Sequence, residues 1–288
     1  MVIAEIHGSK CISVKHDFIL ISIASDRGFR ESGIWLVSGS AAYPCRIDLG
    51  KDSVMSAPLQ AVFFDVDGVL IDSLPQHLQI CRDKANEYGL SLQIPSIEQF
   101  RDQIRRGVKV SPMLNFFMAV GFPKAYATRA VNDYQKDFAD KYHPPAFPDI
   151  DQMLRTLSGN GLRLGLVTSN IRANVVPALG SAMRHFEESC LFFFDPNSKE
   201  QTKSWCLIEG ARILGVNRQA CAYVGDLPAD AIAAQEAGVQ FFGVTYGWGI
   251  AGSDGKFVTA DTVTEIPSKL AHLAGTASDN IKALKALA

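Results

Sequence analysis

The chain lacks a charge excess, a paired-cysteine motif and a long hydrophobic run, and each absence narrows what it can be. Over 288 residues, 28 Lys and Arg stand against 30 Asp and Glu, for a net charge of −2. With no basic excess to grip a nucleic-acid backbone or an anionic bilayer, neither is expected as a partner. The six cysteines, Cys11, Cys45, Cys81, Cys190, Cys206 and Cys221, are scattered and form no C-x-x-C pair. They read as free, mostly core thiols in a reducing compartment, so a cytoplasmic location is expected. No apolar run is long enough to span a bilayer. The best candidate, Phe18 to Ala24, is short, has Asp17 and Asp26 close by, and makes no convincing signal peptide. There is no internal repeat and no low-complexity tract. The length suits one α/β domain and a smaller companion.

What is present centres on Ala61-Val62-Phe63-Phe64-Asp65-Val66-Asp67-Gly68-Val69-Leu70-Ile71-Asp72-Ser73. The apolar run reads as a strand buried on both faces of a parallel sheet. Reactive groups in such sheets sit just past the carboxyl ends of strands, where Asp65 and Asp67 fall. Alternation sends both acids to one side, and Gly68 permits a sharp turn after them. Two carboxylates this close call for a proton or a cation between them, and a hard divalent ion takes oxygen ligands. A plain strand-end turn with solvated acids is the competing reading of Asp-x-Asp-Gly alone. The full string resembles the first motif of the haloacid dehalogenase-like hydrolase superfamily, in its phosphatase and phosphomutase branch. That resemblance implies a nucleophile at Asp65 and a general acid/base at Asp67.

Residues 1–58 carry no motif. Ile12 to Val14 and Phe18 to Ile23 suggest short strands, and Gly28, Gly33, Gly39 and Pro44 break the rest. The segment is either a small extension, such as a hairpin, or no part of the functional protein. Met55-Ser56-Ala57-Pro58 runs straight into the Asp65 strand, which favours the second account and makes Met55 a candidate start. Residues 74–146 predict an all-helical insert. Leu74, Leu78, Cys81 and Ala85 recur at helical spacing, Ser96 and Gln99 suggest a capping box, and Pro112 and Pro123 open two further helices. The last of these places Tyr126, Ala127, Val131, Tyr134 and Phe138 on its apolar side.

From Phe147 strands and helices alternate. Strands are predicted at 162–167, 191–194, 222–224 and 241–245, with helices at 150–157, 175–186, 204–214 and 228–236 and one or two more from Pro267. The expected fold class is α/β: a Rossmann-like parallel sheet, helices on both faces, in a core of residues 59–73 and 147–288. A helical segment placed directly after the nucleophile strand resembles the cap of the phosphoglycolate phosphatase-like subfamily, whose physical task is to close over the site and exclude water.

Thr168-Ser169-Asn170 ends the second core strand. A hydroxyl and the following backbone N–H groups suit phosphate oxygens at a helix start, though the triplet also reads as an ordinary cap. It matches the superfamily's second motif. Gly225-Asp226-Leu227-Pro228-Ala229-Asp230 resembles the fourth, with Asp226 at a strand tip and Asp230 one helical turn later. The resemblance implies a Mg²⁺ site drawn from Asp65, Asp67, Asp226 and Asp230. The third motif requires a lysine. Lys203 at a helix start is preferred, and Lys199 in the preceding loop is the alternative.

His77, in the first predicted helix of the insert, matches a position near the site in some relatives. Arg105, Arg106 and Lys109 flank Gly107 and would read an acidic substrate if they faced inward. Tyr246-Gly247-Trp248-Gly249 resembles a rim loop. The resemblance thus implies a Mg²⁺-dependent phosphatase of a small phosphorylated metabolite, working through an aspartyl phosphate on Asp65. A sugar-phosphate mutase is ranked lower, because Arg106-Gly107-Val108-Lys109-Val110 lacks the arginine expected there from β-phosphoglucomutase-like sequences. A non-catalytic scaffold is ranked lower still, because Asp65, Asp67 and Asp226 are all intact.

Overall fold

In the computed structural model the described residues are 58–273, without 196, 199, 200, 253, 254 and 256 and without the side chains of 137 and 139, together with the backbone of five strands between 5 and 45. The chain divides into two compact units, Met1–Met55 and Ser56–Ala288.

In the first unit, β1 (Glu5–Ile6), β2 (Ser9–Val14), β3 (Ile19–Ser22), β4 (Ile34–Ser38) and β5 (Ala41–Cys45) pair in chain order. Every neighbouring pair is antiparallel. The two short strands read from the sequence are present, inside a five-stranded meander. β4 is rich in β-prone residues, but Gly33 and Gly39 on either side hide it from periodicity. Pro44 sits on the edge strand β5 opposite Trp35, where a missing N–H costs no ladder bond.

The second unit begins its sheet with β6 (Ala61–Phe64). The chain then makes α1 (Leu74–Glu87), α2 (Ile97–Arg105), α3 (Met113–Ala119) and α4 (Lys124–Tyr142) before returning through α5 (Ile150–Gly159). Between α1 and α4 no strand occurs among the described residues. The capping box is formed: Ser96 Oγ accepts from the Gln99 N–H at 3.2 Å, and Gln99 Oε1 accepts from the Ser96 N–H at 2.9 Å. The insert has its own apolar core of Leu74, Leu78, Phe100, Phe116, Phe117 and Phe138, among others. Tyr126 departs from the predicted apolar side; it is 38% exposed and rests on Tyr88.

The alternating part contributes β7 (Arg163–Val167), α6 (Arg172–Leu179), β8 (Leu191–Phe192), α7 (Lys203–Leu214), β9 (Cys221–Gly225), α8 (Pro228–Ala237), β10 (Gln240–Val244), β11 (Val258–Ala260) and α9 (Ile266–Leu273). The sheet runs β11-β10-β9-β6-β7-β8 and is parallel throughout. Alternation along β6 sorts the two layers. Val62 and Phe64 pack with α5, α6 and α9, while Ala61 and Phe63 pack with α7 and α8. Helices therefore cover both faces, as predicted.

Three differences have local causes. The single helix predicted over 175–186 starts earlier, at Arg172, and gives way to a 3₁₀ turn at Gly180, whose φ of 50° leaves the helical region. β11 has only three residues, too few for a period to register. The C-terminal region predicted from Pro267 shows α9, and residues 274–288 lie outside the described ones.

β6 and β9 are adjacent at the centre of the sheet, and the connections leave them in opposite directions. That is a topological switch point, where the strand ends open a crevice. No helix among the described residues is long and apolar enough to cross a membrane.

Candidate active site

Asp65 follows β6 directly, and its N–H donates to the Val224 carbonyl of β9 at 2.9 Å. The ladder thus extends one residue beyond the strand and holds Asp65 beside the end of β9. Asp226 follows β9, and Asp230 lies in the first turn of α8. Carboxylate oxygens of Asp65, Asp226 and Asp230 all lie within 4.8 Å of one another. All three side chains are buried.

Lys203, the first residue of α7, joins them. Its Nζ donates to Asp65 Oδ2 at 2.8 Å and to Asp230 Oδ1 at 2.7 Å. Thr202 starts that helix by accepting the Trp205 N–H at 3.1 Å, which fixes where Lys203 begins its reach. The other lysine considered, Lys199, lies outside the described residues. Burial would lower the Lys203 ammonium, but the Asp230 and Asp65 carboxylates outweigh it and hold it well above the usual lysine range.

The acids respond in the opposite sense. Burial pushes the Asp65 carboxyl up to about 7; Lys203 pulls it back, and Asp230 adds to the rise. Burial, then Asp230 and Asp65, drive the Asp226 carboxyl well above its ordinary range. One ammonium is too little charge for three buried carboxylates. Asp230 is fully engaged: its Oδ2 accepts the N–H groups of Asp226 at 3.2 Å and Leu227 at 3.0 Å, and its Oδ1 accepts from Lys203 and, at 3.4 Å, from the Tyr223 hydroxyl. Asp226 Oδ1 and Asp67 Oδ1 are buried with no hydrogen-bond partner. Asp226 Oδ1, an unpaired oxygen beside excess negative charge, suits a hard divalent cation, so the residues present fit one.

Asp67 is half-buried, and its Oδ2 accepts from Asn170 Nδ2 at 2.9 Å. Gly68 has φ of 77°, and a Cβ there would run into the Asp226 carboxylate and Trp248. The turn after Asp67 therefore requires glycine for both its dihedral and its close approach. The rim loop braces Asp226: the Trp248 N–H donates to Asp226 Oδ2 at 2.6 Å, and the Tyr246 hydroxyl donates to the Val69 carbonyl at 2.9 Å.

Thr168 follows β7 and is buried. Its Oγ1 accepts the Asn170 N–H at 3.0 Å. In the structure Asn170's backbone N–H serves Thr168 and its side-chain amide serves Asp67. Ser169 is exposed at the rim. His77 is buried in the insert and packed edge-on against Trp248. Arg105, Arg106 and Lys109 are exposed, and Arg105 pairs with Asp102 at 3.4 Å. The arginine that does reach the rim is Arg101, whose Nη2 donates to the Tyr246 carbonyl at 2.7 Å. Its only sequence signal is position, one turn before Arg105 on the same helix.

A family model for haloacid dehalogenase-like hydrolases matches residues 62–244, and the chain belongs to that family. Among curated relatives, a phosphoglycolate phosphatase of Xanthomonas campestris pv. campestris is 26% identical over 222 residues, covering 73% of this chain and 94% of the relative. An N-acetylmuramic acid 6-phosphate phosphatase of Pseudomonas putida is 28% identical over 198 residues, covering 66% of this chain and 84% of the relative. Among solved structures, a haloacid dehalogenase-like family hydrolase from Streptococcus pneumoniae superposes with a TM-score of 0.60 at 20% identity, covering 73% of this chain and 97% of that one. At that identity the likeness concerns the fold.

Proposed function

We propose that this phosphate-ester hydrolase cleaves a small phosphorylated metabolite by way of a phosphorylated Asp65. The supporting observation is the convergence of Asp65, Asp226, Asp230 and Lys203 from two strand tips and two helix starts into one buried cluster. Asp65 attacks phosphorus, and the bond to the leaving oxygen breaks. Asp67 gives that oxygen a proton through Oδ1, because Oδ2 is held by Asn170. The deprotonated Asp67 then takes a proton from water, which attacks the acyl phosphate and frees Asp65. Thr168 and Lys203 steady the charge on the equatorial oxygens.

Mg²⁺ would be held by Asp65, Asp226 and the main-chain carbonyl of Asp67, with Asp230 beside them. Bound there, it would reduce the repulsion between carboxylate and phosphate. Asp230 spends its own oxygens on Lys203 and on two backbone N–H groups, which keeps lysine and loop in place.

Helices α1–α4, residues 74–146, act as a cap over the core of 59–73 and 147–288. The buried free thiols Cys81, Cys190, Cys206 and Cys221 suit a reducing, cytoplasmic setting. Phosphoglycolate and N-acetylmuramic acid 6-phosphate, taken from the names of the relatives, are the first substrates to try. The test is p-nitrophenyl phosphate hydrolysis with and without Mg²⁺, with labelled phosphate trapped on the protein. Label that never appears on Asp65 during turnover refutes the mechanism. Isomerised product in place of free phosphate would turn the reading to a mutase.

A further inference from the structure

Resting on the reading of Asp65, Asp226 and the Asp67 carbonyl as a divalent-cation site, we infer that the Trp248 side chain is a positioning residue for Asp226. It ties the affinity of that site to the packing of the helical insert. Among the described residues, the Asp226 carboxylate takes one hydrogen bond. Its Oδ2 accepts the Trp248 N–H at 2.6 Å, and its Oδ1 has no partner. The direction in which Asp226 presents Oδ1 therefore depends on where that N–H stands.

The other anchors of this loop hold different atoms. The Gly249 and Ile250 N–H groups donate to the Asp226 main-chain carbonyl at 3.1 and 2.8 Å, and the Tyr246 hydroxyl donates to the Val69 carbonyl at 2.9 Å. They fix the loop's ends and the Asp226 backbone, and leave its carboxylate to Trp248. That residue stands between Gly247 and Gly249, neither of which has a side chain to pack. The peptide planes around the Trp248 N–H are thus set by the one ring between two permissive residues. A Cβ at Gly247 would run into Asp226 and the Gly68 carbonyl, so the loop passes close enough for a small shift to reach the acid.

The ring itself belongs to the insert. It is 6% exposed and lies in the insert's apolar cluster, with its centroid 5.2 Å from that of His77 in α1 and 5.7 Å from that of Phe116 in α3. Its Nε1 is buried without an acceptor, so packing alone seats it. One residue therefore spans both halves, with its backbone on the metal ligand and its ring among the helices. When the ring loses its seat, the N–H is no longer held in one place, and Asp226 is no longer fixed in one rotamer. Supports behind a ligand commonly change metal affinity by about 10- to 100-fold. The coupling is reciprocal: whatever the seated ring adds to metal affinity, the bound metal returns to the seating of the ring.

The test measures binding of Mn²⁺, which takes oxygen ligands as Mg²⁺ does, from the EPR signal of the unbound ion and without turnover. Every substitution of Trp248 except proline keeps the backbone N–H, so the variants report on the ring. Trp248→Leu should bind Mn²⁺ about tenfold or more weakly than the wild type, and Trp248→Phe, which refills the aromatic place, should stay within about threefold. Phe116 and Phe117 are neighbours on α3 and both fully buried, so changing either to Leu should lower the melting temperature to a similar degree. Only the Phe116 ring touches Trp248; Phe117 packs on Phe116 and Phe122. Phe116→Leu should therefore weaken Mn²⁺ binding about fivefold, and Phe117→Leu should stay within about twofold. Equal affinities in Trp248→Leu and the wild type, or equal losses in Phe116→Leu and Phe117→Leu, would overturn the inference. The phenylalanine pair decides alone should Trp248→Leu fold poorly. A wild type that binds no Mn²⁺, or an Asp226→Asn variant that binds it as tightly, would overturn the metal-site reading itself, and this inference with it.

Discussion

The strand-tip cluster and the helical insert solve opposite problems. At the strand tips, Asp65, Asp226 and Asp230 crowd one lysine and leave Asp226 Oδ1 unpaired. In the insert, aromatic rings surround His77 and Tyr134, whose hydrogen bonds are made within the protein. The first half is built short of positive charge. In the second, the polar groups of His77 and Tyr134 find their partners inside the fold. Trp248 joins them: its N–H holds Asp226, and its ring lies in the cap's apolar cluster.

The sharpest way to break the contrast is at the nucleophile. Asp65→Asn should cut turnover on the order of 10⁴-fold or more. The same change should leave the melting temperature equal or higher, because it removes a buried charge. A variant that lost fold and turnover together would mean the charged half is structural. Lys203→Met comes next, since it strands Asp65 and Asp230 without their cation. A loss of about 3–5 kcal/mol is expected by chemical denaturation near neutral pH.

The pH dependence sharpens the same point. Burial raises the Asp65 carboxyl to about 7 in the fold, above the ordinary carboxylate value it has when unfolded. The fold thus favours the protonated form, and that contribution is complete at acid pH. It is lost as pH rises from the ordinary carboxylate value through about 7. Metal-free protein should therefore melt lower at about pH 8 than at about pH 5, and added Mg²⁺ should raise the melting temperature more at the higher pH. An equal Mg²⁺ shift at both would argue against binding at these acids.

Gly68→Ala should cost on the order of 1–3 kcal/mol, from its left-handed φ and its contact with Asp226, with a larger loss in turnover. At the small end, Arg105→Ala, on the exposed side of α2, should leave both melting and turnover unchanged within scatter. A large drop in affinity there would mean that exposed cap cations read the substrate after all.

The places of Asp65, Thr168 and Asp226 in the fold were legible because each follows a short apolar run that forms a strand. The helices of the insert were legible from caps and spacing; Ser96 and Gln99 closed as expected. The partners of those residues were not. Asn170 and Asp67 are 103 positions apart, His77 and Tyr134 57, and Arg101 and Tyr246 145. No local period carries such pairings.

By itself, then, the sequence determined most of the elements of the second unit and which of its strands end in acids or a hydroxyl, since turn chemistry, capping and alternation act over a few residues. Only the tertiary structure decided that β6 and β9 lie side by side, that Lys203 bridges two of the three acids, and that Tyr134 meets His77 from another helix. Those outcomes depend on how whole layers stack to bury their apolar faces, a condition spread over the entire core.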